Sequence, residues 1–299
     1  MDLLHFYDRM ARTALRRHGF RSRRVATRVG RIHLLDARGL GDGPPVVVLH
    51  GFSAHATQYG ALLRRLRHTS KRVLALDLPG HGFSDTPRDG LDPDVLADGI
   101  GAALDHTLDH LLDEPAVLFG SSLGGGLAIR YAGARPSRLR GLMLSSPAGA
   151  PMPQNEADAL RTLMRVRSHA DALEFVDRLF VRPSPIRHLL AAGVRVQLGR
   201  PHLQALLDAM RPQHYLRPQD LAALTLPTLV VWGGADRLLP RACPAFFRAH
   251  LPAHARLEEP LELGHCPFLD MPDALMARLT AFMASLETTA RTAHRTVGG

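Results

Sequence analysis

The sequence predicts an α/β protein with a mostly parallel sheet, helices on both of its faces and a helical cap. Three observations lead there. Short runs rich in Val and Leu recur along the chain, as strands covered on both faces require. Helical segments alternate with these runs, which is the rhythm of a parallel sheet with crossover helices. The rhythm then breaks over residues 151–225, a stretch rich in Leu, Ala and Arg that reads as several helices punctuated by Pro183, Pro185, Pro201, Pro212 and Pro218.

The elements follow in order. At the start, Leu3, Leu4, Tyr7, Met10, Ala11 and Leu15 recur at spacings of three and four, with Arg9, Arg12 and Arg16 largely off that stripe. Such a helix can pack on the body of the protein, touch a membrane or lipid surface through residues 1–17, or remain disordered. The basic run Arg21-Ser22-Arg23-Arg24 reads as a solvated turn, and residues 24–37 as two short strands. A Gly- and Pro-rich turn at 39–45 precedes a buried strand at 46–49. A polar helical segment at 59–68 leads to a strand at 72–78. A helix at 93–112 leads to a strand at 116–119, and a helix from 125 to 132 to a strand at 141–145. Beyond the helical insertion lie a strand at 228–232, another near 255–259 and a closing helix over 272–286. An insertion between two strands of one sheet is placed as a cap over the sheet's C-terminal edge. The chain therefore divides into an N-terminal amphipathic helix (1–20), a first core part (21–150), the cap (151–225), a second core part (226–287) and a flexible tail (288–299).

Composition bounds the function. The 299 residues suit one large domain, and 45% apolar with 22% charged residues are ordinary globular values. No stretch is long and apolar enough to span a membrane. The first residues lack the basic, apolar and small-residue segments of a secretory signal, so a cytoplasmic location is expected, with peripheral membrane contact as the further reading. The formal net charge of +9 is almost all arginine, with Lys71 the only lysine. No zinc-finger, RNA-binding or helix-turn-helix signature accompanies it, and no nucleic-acid partner is expected. Cys243 and Cys266 do not make a disulfide framework. His106 and His110 share a helix face without the Glu of a zinc-protease motif, and Gly124-Gly125-Gly126 lacks the Lys-Ser/Thr of a phosphate loop.

The strongest chemical signal is Gly120-Ser121-Ser122-Leu123-Gly124, between the strand at 116–119 and the helix that follows. Strand, G-x-S-x-G, helix is the context of a nucleophile elbow: the serine sits on a sharp turn that only small neighbours permit, ahead of a helix N-terminus. The register selects Ser122, because Ser121 is flanked two residues away by Phe119 and Leu123. A serine hydroxyl needs a base. His265, in Leu263-Gly264-His265-Cys266-Pro267-Phe268, lies in a loop after the last strand. An acid should orient that base, and Asp236 directly follows the strand at 228–232. The rival acid position, after the strand at 141–145, holds Ser146, Pro147 and Ala148. Two backbone donors should hold an oxyanion, the N–H of Leu123 and the N–H of Phe52 in His50-Gly51-Phe52-Ser53-Ala54.

Together, His50-Gly51-Phe52, Asp77-Leu78-Pro79-Gly80-His81-Gly82, Gly120-Ser121-Ser122-Leu123-Gly124-Gly125, Trp232-Gly233-Gly234-Ala235-Asp236 and Gly264-His265-Cys266-Pro267 resemble the α/β-hydrolase superfamily over roughly residues 30–285. The resemblance implies an eight-stranded sheet, a helical cap between strands six and seven, and neither cofactor nor metal. His50-Gly51-Phe52-Ser53-Ala54-His55 and Ser146-Pro147-Ala148-Gly149 resemble the branch of monoacylglycerol lipases, small lipases and carboxylesterases. Ser at 122 argues against epoxide hydrolases and haloalkane dehalogenases, which carry a nucleophilic Asp. The family often has Glu near the position of Asp270.

The expected function is a serine hydrolase that cleaves small-molecule carboxylic esters, lipid-like or medium-chain, through an acyl-enzyme on Ser122. Leu160, Leu163, Met164, Phe175, Leu179 and Phe180 are candidates for an apolar acyl pocket, or for packing among cap helices. Two other readings remain: a hydrolase of carbon–carbon bonds in ring-cleavage products, and a non-catalytic ligand-binding protein on the same scaffold.

Overall fold

In a computed structural model the described residues are 3–297 for the backbone and 9–288 for the side chains. The helices are α1 (Leu3–Arg17), α2 (Gly60–Thr69), α3 (Pro93–His110), α4 (Leu123–Ala134), α5 (Gln154–Met164), α6 (His169–Leu179), α7 (Arg187–Leu198), α8 (Pro201–Ala209), α9 (Pro218–Ala222), α10 (Ala242–His250), α11 (Pro267–Asp270) and α12 (Pro272–Val297). The strands are β1 (Arg21–Thr27), β2 (Gly30–Arg38), β3 (Val46–Leu49), β4 (Arg72–Leu76), β5 (Ala116–Ser121), β6 (Leu139–Ser145), β7 (Thr228–Val231) and β8 (Arg256–Glu258). They form one eight-stranded sheet in the order β1-β2-β4-β3-β5-β6-β7-β8. Only β1 with β2 and β2 with β4 pair antiparallel; every other pair is parallel.

Alternate strand residues serve two cores. Val47, Leu49, Leu74, Leu118 and Leu142 face a layer that includes residues of α3, α4 and α10, among them Ile100, Ile129 and Phe247. Val46, Val48, Val73, Phe119 and Met143 face the other layer, with Leu62 and Leu66 of α2 and Leu279 and Phe282 of α12. Burial on both faces is why β3 to β7 read as continuous apolar runs. Leu15 of α1 and Phe20 are buried in the second layer, so the described part of α1 packs on the body, while Met10 of the expected stripe is 57% exposed. Leu3, Leu4 and Tyr7 lie outside the residues with described side chains.

Two expectations need correction. The run Arg21-Ser22-Arg23-Arg24 is not a turn but the first half of β1, with its side chains exposed. It sits at the sheet edge, where Arg23 pairs with Asp36 at 2.6 Å and Arg24 with Asp85 at 3.0 Å, so a polar stretch still makes a strand. The closing helix does not end near residue 286 but continues to Val297, because neither Gly nor Pro interrupts the chain before Gly298.

The register levels the strand ends. Leu49 pairs with Leu76 and Gly120, Ser121 with Ser145, and Ser145 with Val231. The loops after β3, β4, β5, β6 and β7 therefore share one edge. The chain leaves β3 towards β4 on one side and returns to β5 on the other. That reversal is a topological switch point, where open α/β sheets form their crevice. Helices α5 to α8 lie between β6 and β7 in sequence, with their own apolar cluster around Phe175, Val176, Phe180 and Leu198. The last helix of this insertion, α9, packs on α4 and α10 of the body. At the opposite edge of the sheet, Lys71 pairs with Glu114 at 2.8 Å, just before β4 and β5 begin. No helix among the described residues is long and apolar enough to cross a membrane.

Candidate active site

Ser122 sits between the end of β5 and the start of α4 with φ 50° and ψ −119°, in a left-handed region that costs a non-glycine residue on the order of 1–3 kcal/mol. Tight packing holds it there. The Ser122 N–H donates to the carbonyl of Ser145 at 3.0 Å, and the Ser122 carbonyl accepts from Gly125, Gly126 and Ala148. A Cβ on Gly124 would lie 2.4 Å from the His50 carbonyl oxygen, and one on Gly120 would lie 2.6 Å from that of Gly124. The glycines two residues either side of Ser122 thus leave room for the turn. Ser122 borders a cavity, whereas its neighbour Ser121 is buried at 1% exposure, as the register argument requires.

Asp236 and His265 meet. Nδ1 of His265 is 2.8 Å from Oδ2 of Asp236, with both side chains buried. The other carboxylate oxygen, Oδ1, accepts the N–H groups of Leu238 and Leu239 at 2.8 and 3.1 Å. Burial works against the charge of Asp236, but the His265 ring and these two N–H groups outweigh it and hold the carboxyl below its ordinary value. A carboxylate only accepts, so Nδ1 of His265 carries the proton and leaves Nε2 as a base. At the rival acid position, Ser146 is buried with φ 39° and accepts the N–H of Gly233 at 3.3 Å.

The third component is the loop after β3. Neither the N–H of Phe52 nor that of Leu123 donates to a protein acceptor among the described residues. Both flank Ser122: Leu123 follows it, and a Cβ on Gly51 would lie 3.1 Å from the Ser122 Cβ. Here the structure reveals residues to which the sequence reading gave no role. Nε2 of His50 accepts the N–H of Leu78 at 2.9 Å, so Nδ1 carries the ring proton and donates to the Gly51 carbonyl at 2.8 Å. That carbonyl and the N–H of Phe52 belong to one planar peptide and point opposite ways. His50 therefore aims the Phe52 N–H. Asp77 anchors the same loop by accepting the N–H of Ala56 at 2.7 Å and a hydrogen bond from His33 at 2.8 Å. Burial pushes His50 down to about 4, which keeps it neutral. The signal was present in His50-Gly51, which pointed to the oxyanion loop, and in Asp77-Leu78-Pro79-Gly80, which carried only the resemblance.

The cavity over Ser122 has a volume of about 170 Å³ and is lined by residues of the inserted helices α5 and α8 and of the body. Its walls are mostly apolar. Of the expected acyl-pocket residues, Leu160 and Met164 line it. Leu163, Phe175, Leu179 and Phe180 follow the other reading and pack among the inserted helices, with Phe175 and Phe180 buried in their shared cluster. Leu206 and Leu207 of α8, Met152 and Leu216 line the cavity as well, with Leu96, Leu127 and Leu239 of the body. Cys243 also borders the cavity, and burial pushes its thiol up to about 12; burial raises the Cys266 thiol as well, so neither is a thiolate.

Comparison with known proteins agrees with this architecture. The sequence profile of the alpha/beta hydrolase family matches residues 46–278. The pimeloyl-[acyl-carrier protein] methyl ester esterase of Nitrosomonas europaea is 30% identical over 79% of this chain and 94% of its own. A monoacylglycerol lipase of Bos taurus is 26% identical over 83% of this chain and 78% of its own. Among solved structures, a membrane phospholipase A described as a bacterial virulence factor superposes with a TM-score of 0.78, at 23% identity, over 95% of this chain and 94% of that one. The 2-hydroxy-6-oxo-6-phenylhexa-2,4-dienoate hydrolase of Rhodococcus sp. strain RHA1 superposes with a TM-score of 0.76, at 23% identity, over 89% of this chain and 99% of that one.

Proposed function

Because the chain belongs to the alpha/beta hydrolase family, we propose that it is a carboxylic-ester hydrolase working through an acyl-enzyme on Ser122. The observation that carries this reading is the strained Ser122 turn, open to an apolar cavity, on the same sheet edge as the buried Asp236–His265 pair. In the proposed reaction, Nε2 of His265 takes the Ser122 proton as Oγ attacks the ester carbonyl. The N–H groups of Phe52 and Leu123 stabilise the oxyanion. The alcohol leaves with the proton from His265. Water activated by His265 then releases the acid and regenerates Ser122. Asp236 orients the ring and stabilises the imidazolium.

The acyl part is apolar and slim. A volume of about 170 Å³ is below the ~300–1,000 Å³ typical of sites for drug-sized ligands. The esterase and lipase relatives are named for acyl esters, which supports the same class. The test is a p-nitrophenyl ester series from acetate to palmitate with wild type and Ser122→Ala. Wild type should peak at short to medium chains, and Ser122→Ala should lose several orders of magnitude in kcat with an unchanged melting temperature. Substantial activity in Ser122→Ala, or cleavage of a dienone acid with no ester turnover, sinks the proposal.

A further inference from the structure

A helix leaves its last four carbonyls without partners inside the helix. At the end of α6 these groups are taken up by the two loops that carry Asp236 and His265. The Arg237 guanidinium donates to the carbonyls of Asp177 and Phe180, the latter at 2.7 Å. The N–H of Cys266 donates to the carbonyl of Leu179 at 3.1 Å. Arg237 directly follows Asp236, and Cys266 directly follows His265. One helix end thus grips both members of the pair through their chain neighbours.

Further contacts tighten this junction. The N–H of Val181 donates to Oδ2 of Asp270, in α11 just beyond His265, at 3.3 Å. Gly264 lies so near that a Cβ there would be 3.1 Å from the Leu179 carbonyl oxygen. Leu238, two residues after Asp236, packs in the cap cluster with Phe175, Val176 and Phe180. A cation at a helix C-terminus is also favoured by the helix dipole.

We propose that the C-terminal turn of α6 is a clamp that couples the seating of the cap to the geometry of the Asp236–His265 pair, with Arg237 as the positioning residue. This rests on the reading of that pair as a general base and its orienting acid. Arg237 does not border the cavity, so it acts through the loop it holds and not on substrate. Asp236 is fixed within that loop by the N–H groups of Leu238 and Leu239, so a shift of the loop carries the carboxylate with it. Displacements of about 1 Å in a reacting constellation can cost on the order of 10²-fold in rate. With the cap lifted, the acid and the histidine lose their shared anchor; with the cap seated, they are held together.

The test compares wild type, Arg237→Ala, Arg237→Lys and the control Arg178→Ala. Arg178 lies on the same helix and pairs with Glu174, away from the two loops. Two readouts are taken: steady-state hydrolysis of p-nitrophenyl butyrate, and the far-downfield proton resonance of the His265 Nδ1–H held by Asp236. In Arg237→Ala, kcat should fall about 10-fold or more with KM within about twofold, and the resonance should broaden or vanish. Arg237→Lys should recover part of both, and Arg178→Ala should change neither. An Arg237→Ala protein with an unaltered resonance overturns the clamp, whatever its kcat. A wild type that shows the resonance but turns over no ester overturns the esterase reading instead, and the resonance still decides the clamp.

Discussion

His50 does its work by being neutral. Its ring accepts from Leu78 through Nε2 and donates to Gly51 through Nδ1, so one tautomer fixes the peptide that carries the Phe52 N–H. A proton on Nε2 would put two donors face to face at Leu78. Burial prevents that by lowering the ring to about 4. His50→Ala should therefore act like the loss of an oxyanion donor. We expect kcat to fall on the order of 10²–10³-fold, with stability down about 1–3 kcal/mol because the Leu78 N–H is left unpaired. Steady-state kinetics beside urea denaturation would separate the two effects. A kcat within a few-fold of wild type in the folded variant would show that the Phe52 peptide does not depend on the ring.

At the scale of elements, the same apolar pattern serves two purposes, and only the fold separates them. Leu206 of α8 borders the cavity, whereas Phe175 of α6 packs inside the cap. Leu206→Ala should enlarge the cavity and move the preferred acyl chain to longer esters. Phe175→Ala should lower stability by about 3–5 kcal/mol and leave the chain-length preference in place. An ester series and thermal melts on both variants check this, and a shifted preference in Phe175→Ala would mean the cap core and the cavity are one unit. This contrast shows what the sequence could reveal. Ser122, Asp236 and His265 could be singled out because each stands in a loop after a strand, among residue types that are chemically specific. Leu160 and Phe175 were not separable, because helical periodicity marks an apolar face but not what it faces. The first half of β1 reads as a turn because its edge position lets charged residues occupy it. The grip of Arg237 on α6 is a long-range contact that no local spacing encodes.

The whole molecule carries an acid sensitivity written into its buried histidines. Burial holds His50 near 4 and His81 near 3, well below the ~6.5 of a solvated ring. Both are lowered in the folded state, so the unfolded chain binds their protons first as pH falls. Their contribution is complete above about pH 6.5 and is lost progressively down towards pH 3–4. Asp77 adds to the loss at lower pH: burial opposes its charge, but the hydrogen bond from His33 prevails and holds the carboxyl below its usual range. Stability should drop by a few kcal/mol between pH 7 and pH 4, read from urea midpoints across that interval. A flat profile would show that these rings take up protons as readily in the folded state as in the unfolded chain.

Lys71, at 52% side-chain exposure, has a practical consequence. It is the only lysine in the chain and stands where β4 begins, while Ser122 stands where the neighbouring parallel strands end. At roughly 3.3 Å per residue, the six residues of β5 set the two edges about 20 Å apart. Apart from a terminal amine, a support activated for amine coupling has a single side chain to attack. The enzyme should be tethered by its base, with the cavity turned towards the liquid.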